Sequence, residues 1–411
     1  MRMKPSSTSA VMRAFAGKEV VLCVTGSIAA YKACEIASKL AQAGCRVTTA
    51  MTRSAMELVG PATFEAVTGQ RAITAMFAPL ANPEIEHIAV AKRADLFLVA
   101  PATANILAKA AHGIADDWIS TTLLATRAPI LFAPAMNTQM YTHPATQENL
   151  RVLAARGCHF VGPGEGALAC GDVGPGRLIE LPAIYEAAAA CLRAEKPLAG
   201  KHVLITSGGN HEPIDPVRYI GNRSSGKMGY ALALEALCLG ARVTVVSGPA
   251  EVPPPHGADV VWVETAREML GAVAERIDST DVFIAAAAVA DYRSADETKA
   301  KHKRTGAGLT LRLGENPDIA AAMGARKRAG TVHVGFAAET DDLLENARGK
   351  MERKRFDVLV ANRVGGDDCA FGADAVVGYI LTGSAEPESL EATGKSEVAA
   401  RVLARVAKLL A

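Results

Sequence analysis

The chain has 411 residues, half of them hydrophobic, enough for two or three domains with sizeable cores. Lys and Arg number 44 against 43 Asp and Glu, a net charge of +1, so bulk charge gives no reason to bind nucleic acid or an anionic membrane, though a local basic pocket stays open. No run of about 18 apolar residues is present, which argues against a transmembrane helix; the eight cysteines are scattered, with no CxxC pair and no Cys/His cluster at zinc spacing, and read as reduced, buried thiols of a cytoplasmic protein.

Residues 1–17 are Ser-rich and lack the apolar run of a signal peptide, and they read as a disordered extension. A strand follows at 20–25, then a turn at Gly26-Ser27 and a helix over about 28–43, with Ala29, Ala33, Ile36, Ala37 and Leu40 on one face. Gly44 ends that helix, and strands follow at 46–51, 96–100 and 130–133. The pattern restarts near Lys201: a strand at 202–206 runs into Ser207-Gly208-Gly209, a helix runs from about 228 to Gly240, and strands follow at 242–247, 281–285 and 357–361. Gly44-Cys45-Arg46-Val47-Thr48 echoes Gly240-Ala241-Arg242-Val243-Thr244, and the strands led by Asp95, Asp281 and Asp357 echo one another. Alternating β-branched and Ala/Leu-rich runs are the signature of βαβ units. The expectation is therefore an α/β protein with two parallel-sheet, three-layer domains, 18–194 and 195–411, punctuated by Pro197 and Gly200.

In the first half, Thr25 to Lys32 sit where a strand becomes a helix. Backbone N–H groups and hydroxyls at Gly26, Ser27 and Ile28 can hold a phosphate there, or form an ordinary tight turn. The run is not a GxGxxG fingerprint, so a dinucleotide is not favoured. Pro101, Thr103 and Asn105 follow the next strand, and Met136 and Asn137 follow the one after, where open α/β sheets place ligands. Asn137 could equally cap a turn. Residues 162–176 hold six glycines around Ala169-Cys170-Gly171-Asp172, a composition that suits a flap with a thiol at its centre.

The run from Thr25 to Lys32, the segment Pro134-Ala135-Met136-Asn137 and the run Ala169-Cys170-Gly171-Asp172 resemble the flavin-dependent phosphopantothenoylcysteine decarboxylases over about residues 18–190. The resemblance implies a flavodoxin-like sheet with bound FMN. It implies that His87 is the active-site histidine, that Asn137 holds the departing carboxylate, and that Cys170 protonates an enethiolate in the final reduction. The aromatic usually found as Trp after the Pro-Ala-Met-Asn motif is here Tyr141. The chemistry suits these groups: a carboxylate leaves an amino-acid α-carbon only with an electron sink, which oxidation of the thiol carbon supplies, while an imidazole and a thiol can move protons.

In the second half, Gly221 to Gly229 contains Ser224-Ser225-Gly226-Lys227 at a helix start. It is a phosphate cradle or a Ser-capped turn, without Walker A spacing. Asp215 to Ile220, Ala287 to Tyr292, Glu315 to Ile319 and Gly335 to Thr340 complete a resemblance to phosphopantothenate–cysteine ligases over about 198–405. Together the halves resemble the bacterial fused decarboxylase–ligases of coenzyme A biosynthesis, with a Rossmann-like second half. The resemblance implies CTP and Mg²⁺, with 4′-phosphopantothenate activated as an acyl-cytidylate and L-cysteine displacing CMP. It implies roles for Asn222 at the acyl-cytidylate, for Lys301 at phosphate, and for Arg218, Ser224, Ser225, Gly226, Lys227, Ala287, Asp291, Asn316, Pro317, Asp318 and Phe336 in binding. It further implies a homo-oligomer, trimeric through the first half and dimeric through the second.

Three departures from the ligase pattern stand out. Lys299 to Arg304 replaces the usual Lys-Ile-Lys-Lys, so Lys299 or Lys303 is an alternative to Lys301. Asn210-His211 replaces Thr-Arg, a change that bears on phosphate contacts. After Phe371-Gly372-Ala373-Asp374 the Asn often found in the family is missing, with Ala375-Val376-Val377 in its place, a change that bears on nucleotide-ribose or dimer contacts. Metal ligands are not identifiable. The rival readings are another flavin-dependent cysteine decarboxylase, a non-enzymatic regulator on the same scaffold, and a two-domain dehydrogenase.

Overall fold

The computed structural model describes residues 9–76, 86–168, 171–303, 309–339, 342–363, 375–383 and 385–411. The chain divides into two compact units, Met1–Ala194 and Glu195–Ala411. In the first, β1 (Glu19–Val24), β2 (Arg46–Met51), β3 (Leu96–Ala102), β4 (Ile130–Pro134) and β5 (His159–Phe160) form a parallel sheet in the order β2-β1-β3-β4-β5. This is the flavodoxin-like order, with its switch point between β1 and β3. Side chains alternate along β1: Val20, Leu22 and Val24 join one core, and Val21 and Cys23 join the other. The helix Ala30–Gln42 covers the first core with Ala30, Ala33, Ile36, Ala37 and Leu40, a spacing of three and four residues. β6 (Gly164–Ala167) and β7 (Val173–Arg177) form a separate antiparallel hairpin.

The expected disordered extension needs correction. Ser9–Arg13 is a helix, Gly17 donates its N–H to the Gly44 carbonyl at 3.0 Å, and Phe15 is fully buried in the first core. An aromatic ring buried there offsets the entropy of ordering a short segment. Residues 1–8 lie outside the described residues.

The second unit contains β8 (His202–Ser207), β9 (Glu212–Pro213), β10 (Tyr219–Ile220), β11 (Arg242–Ser247), β12 (Asp259–Trp262), β13 (Val282–Ala285), β14 (Tyr292–Ser294), β15 (Leu313–Glu315), β16 (Val332–Glu339), β17 (Val358–Arg363), β18 (Ala375–Thr382) and β19 (Glu388–Gly394). Its main sheet has the order β12-β11-β8-β13-β16-β17-β18-β19, parallel through β17 and antiparallel beyond it. The order reverses at β8 and β13, which makes that crevice the Rossmann-like ligand position. β9 pairs with β10 and β14 with β15 in two small antiparallel sheets.

The repeated Asp-led strands have a shared physical cause. The carboxylate of Asp95 accepts the N–H of Glu19 at 2.8 Å, Asp281 accepts that of His202 at 2.8 Å, and Asp357 accepts that of His333 at 2.7 Å. Each Asp thus satisfies a donor at the start of a neighbouring parallel strand, the first for Glu19 and His202 and the second for His333, and each also faces a lysine: Lys18, Lys201 and Lys327.

His333, on β16, is 2% exposed and edges onto the Phe283 ring. Burial, reinforced by Lys327, holds its imidazole down to about 4 from an ordinary 6.5. Burial lowers His202 in the same direction. A folded-state pKa below the unfolded one means that the unfolded chain binds the proton first. The stability from a neutral His333 is therefore present above about 6.5 and lost as pH falls from there toward 4. The thermal midpoint of the second unit is expected to fall across that window, with a shallower fall in His333→Leu. A midpoint flat over the window would contradict this account.

Candidate active sites

In the first unit, the candidate residues after β1 and β4 meet at one cavity of about 510 Å³, lined by Ser27, Ile28, Ala29, Tyr31 and Lys32 on one side and Ala135, Met136 and Asn137 on another. The hairpin contributes Ala167, Gly176 and Arg177. The volume lies within the range of small-ligand sites. Ala29, the N-cap of helix Ala30–Gln42, provides no side-chain cap, and that N-terminus lies beside the cavity, with the Ala30 N–H bonded to the Ser27 carbonyl at 2.8 Å and the Lys32 N–H to the Ala29 carbonyl at 3.0 Å. Gly26 is required by space: a Cβ there would stand 2.4 Å from the Ser54 Cβ. Ile28 stays 63% exposed and Tyr31 62%, an apolar mouth suited to a ring system. The residues therefore fit a phosphate-bearing flavin.

Pro101, Thr103 and Asn105 do not line this cavity, but Thr25 ties them to it. Its hydroxyl donates to the Pro101 carbonyl at 2.7 Å and accepts the Thr103 N–H at 3.1 Å. Thr103 also caps helix Ala104–His112, whose first turn carries the exposed Asn105. His87, half-buried on helix Glu86–Arg93, is not part of the cavity lining. Cys170 lies outside the described residues.

Asn137 does two things. Its Oδ1 accepts the Gln139 N–H at 2.8 Å and caps helix Thr138–Thr142, while its Nδ2 donates to the Asp172 carboxylate at 2.7 Å. The Asp172 partnership was not foreseen from sequence. The hairpin lies close over this segment because β7 is glycine-rich: the Gly176 carbonyl accepts the Met136 N–H at 2.9 Å, and a Cβ on Gly176 would stand 2.3 Å from the Met136 carbonyl oxygen. Burial pushes the Cys45 thiol up to about 12 and raises Cys23, Cys34 and Cys158 as well.

In the second unit, backbones interlock at the switch point. Gly208 has φ +77°, and a Cβ there would meet the Gly248 carbonyl oxygen at 2.6 Å. A Cβ on Gly229 would meet the Ser207 Oγ at 2.3 Å, so the first turn of helix Lys227–Cys238 sits directly on the end of β8. Gly229 thus serves the close helix–strand approach that the last glycine of a GxGxxG run serves. Gly226, the N-cap, supplies no side-chain cap, leaving the helix end open to an anion, with Ser224 and Ser225 just ahead of it.

Three asparagine amides converge on the segment after β13. Asn222 Nδ2 donates to the Val289 carbonyl at 2.9 Å, Asn316 Nδ2 to the Ala290 carbonyl at 2.8 Å, and Asn210 Oδ1 accepts the Ala290 N–H at 2.6 Å. Asn210 is fully buried and also bonds to buried Glu212, which accepts the Ala266 N–H at 2.8 Å. His211 stacks on Tyr219 with centroids 3.6 Å apart. Asn210 therefore holds backbone in this structure, and His211 packs on a ring. Asp291 is exposed beside this segment, Ala287 and Pro317 are half-buried, and Phe336 lies half-buried against the core on β16. Asp318 caps helix Ile319–Ala325 and pairs with Lys354 at 2.8 Å.

Arg218 forks onto Asp215, at 3.0 Å from Nε and 2.5 Å from Nη2. Its guanidinium, with further backbone N–H bonds, holds the Asp215 carboxyl well below the usual range. Lys299, Lys301 and Lys303 are all exposed. Phe371 to Asp374 and Thr340 lie outside the described residues, and Ala375 begins β18. Among the described residues no cluster of three or more His, Cys, Asp or Glu could hold a metal ion, and no helix is long and apolar enough to cross a membrane.

Residues 8–193 match the family described as Flavoprotein, and residues 198–410 match the DNA/pantothenate metabolism flavoprotein C-terminal domain. The chain is 45% identical to the Coenzyme A biosynthesis bifunctional protein CoaBC of Bacillus subtilis (strain 168), over 95% of this chain and 97% of that protein. It is 44% identical to the protein of that name from Escherichia coli (strain K12), over 87% and 89%. The counterpart from Mycobacterium bovis (strain ATCC BAA-935 / AF2122/97) is 42% identical, over 96% and 97%.

Proposed function

The chain belongs to the family of coenzyme A biosynthesis bifunctional proteins, and from that membership we propose that its first unit decarboxylates 4′-phosphopantothenoylcysteine and its second joins 4′-phosphopantothenate to L-cysteine with CTP. It is a bifunctional enzyme, a flavoprotein decarboxylase and a ligase in one chain. The observation that carries the assignment of one reaction to each unit is the pair of uncapped helix N-termini, at Ala29 and at Gly226, each at the end of the first strand of its own parallel sheet. Each reaction has a phosphate-bearing ligand, and each unit has its own seat for one.

When bound, FMN supplies reversible two-electron oxidation. Gly26, Ser27 and Ile28 hold its phosphate in this reading, and Tyr31 and Met136 bound its apolar side. Asn137 aims its Nδ2 at the carboxylate of the substrate; its present bond to Asp172 shows that this amide faces an anionic oxygen. Cys170 returns the final proton. His87, which does not line the cavity in this structure, moves protons in this reading by the likeness to the family. Cys170→Ala is expected to release carbon dioxide while leaving the product unreduced. Normal formation of 4′-phosphopantetheine by that variant would remove Cys170 from this role.

In the second unit, Ser224, Ser225, Gly226 and Lys227 cradle nucleotide phosphate, the segment Ala287 to Asp291 with Asn316 bounds the nucleotide, and Asn222 faces the acyl-cytidylate. Lys301 is the phosphate lysine of the basic loop. Mg²⁺ enters this reading as the counter-ion of the CTP phosphates. Exposed Val217, Tyr219, Tyr292 and Leu313 on and beside the two small sheets support a dimeric second half. In this reading the two reactions take place in the cytoplasm.

A further inference from the structure

The turn between β9 and β10 lies just ahead of the Gly221 to Gly229 cradle. Within it the Asp215 side chain is fully buried, with 0% exposure. It accepts the N–H groups of Val217 at 2.9 Å and Arg218 at 3.0 Å, the ordinary bonds of an Asx-type turn. It also accepts the fork of Arg218 and, from 87 residues away, the backbone N–H of His302 at 3.1 Å. Arg218 returns a bond to the same residue, from Nη2 to the His302 carbonyl at 2.8 Å. One ion pair therefore grips both the N–H and the C=O of His302. Thr298 adds a bond from its N–H to the Ile214 carbonyl at 3.2 Å. The residues on either side of the gripped one include the exposed Lys299, Lys301 and Lys303.

The bonds to His302 are not needed to make the turn. With the Asp215 carboxylate buried and the Arg218 side chain 43% exposed, the pair is also weak support for stability, because desolvation of the acid opposes the attraction. Its distinguishing consequence is position. A loop backbone fixed beforehand removes part of the entropy cost of bringing three lysines to a polyanion.

We propose that Asp215 and Arg218 are positioning residues of the ligase reaction, fixing the basic loop at His302 so that its lysines meet the β- and γ-phosphates of the nucleotide. This rests on the ligase reading and adds to it a role for Asp215 and a changed role for Arg218. Arg218 is engaged with Asp215 and His302 in this structure.

The test uses the full chain with Asp215→Asn. The amide Oδ1 keeps the turn bonds, while Nδ2 can accept neither the His302 N–H nor the Arg218 fork. The kcat/KM for CTP, read as pyrophosphate release, is expected to fall by about ten- to hundredfold, with most of the change in KM. Inhibition by CMP, which lacks the β- and γ-phosphates, is expected to stay within about twofold, a split that general damage to the unit would not produce. Release of carbon dioxide from supplied 4′-phosphopantothenoylcysteine reports on the first unit of the same molecule and is expected to be unchanged. Arg218→Lys keeps the charge but loses the fork, and is expected to give a smaller rise in the KM for CTP. An unmoved KM for CTP in both variants, or equal weakening of CTP and CMP, would overturn the proposal. An unmutated chain that releases no pyrophosphate from CTP would overturn the ligase reading itself, and this inference with it.

Discussion

Asn137→Asp is expected to lower carbon dioxide release from 4′-phosphopantothenoylcysteine by about a thousandfold, while pyrophosphate release by the second unit is retained. The fold should survive, because Asp is as good a helix cap as Asn and keeps the acceptor that Gln139 uses. The loss comes from the other side of the group. Nδ2 donates to a carboxylate oxygen, that of Asp172 in this structure. An aspartate there presents an anionic oxygen in its place, so the variant loses a donor and gains a like charge facing the substrate carboxylate. Removing one donor to an anion in a catalytic site costs about a hundred- to a thousandfold, and repulsion at close range adds to it. Carbon dioxide release within tenfold of the unmutated protein would show that Asn137 acts only as a cap.

Asn222→Asp is expected to separate the two halves of the ligase reaction. Pyrophosphate should still be released from CTP, while amide formation with cysteine slows by about a hundredfold. Asn222 Nδ2 donates to the Val289 carbonyl, in the segment that Asn316 and Asn210 hold from either side of Ala290. An aspartate cannot donate, and it sets a negative oxygen against that carbonyl. The expected result is accumulated acyl-cytidylate. Amide formation at an unchanged rate would count against the role of Asn222.

The α/β class was legible in the sequence because alternation survives locally: Val20 to Val24 reads as a buried strand, and Ala33, Ile36, Ala37 and Leu40 as one helical face, without knowledge of their neighbours. The Asp-led echoes were visible, but their cause was not, since it lies in an N–H at the start of a strand many residues earlier. The burial of Phe15 was missed because a five-residue helix carries too little periodicity to announce itself. In the sites, the strand-to-helix turns at Gly26 and Gly226 were legible from the general geometry of parallel sheets. The bond from Asn137 to Asp172 was not, and neither was the grip of Asp215 on His302, because both depend on pairs far apart in the chain. Asn210 looked like a change in a phosphate site. It is a fully buried amide, and its visible work is to hold the Ala290 N–H and to meet Glu212.

The most direct test of the whole account supplies the purified chain with 4′-phosphopantothenate, CTP and Mg²⁺, then adds L-cysteine, following pyrophosphate and carbon dioxide separately. Pyrophosphate is predicted to depend on CTP and 4′-phosphopantothenate, and carbon dioxide to appear only once cysteine is present, ending in 4′-phosphopantetheine. Pyrophosphate without any carbon dioxide, or neither product, would contradict a single chain that carries both reactions.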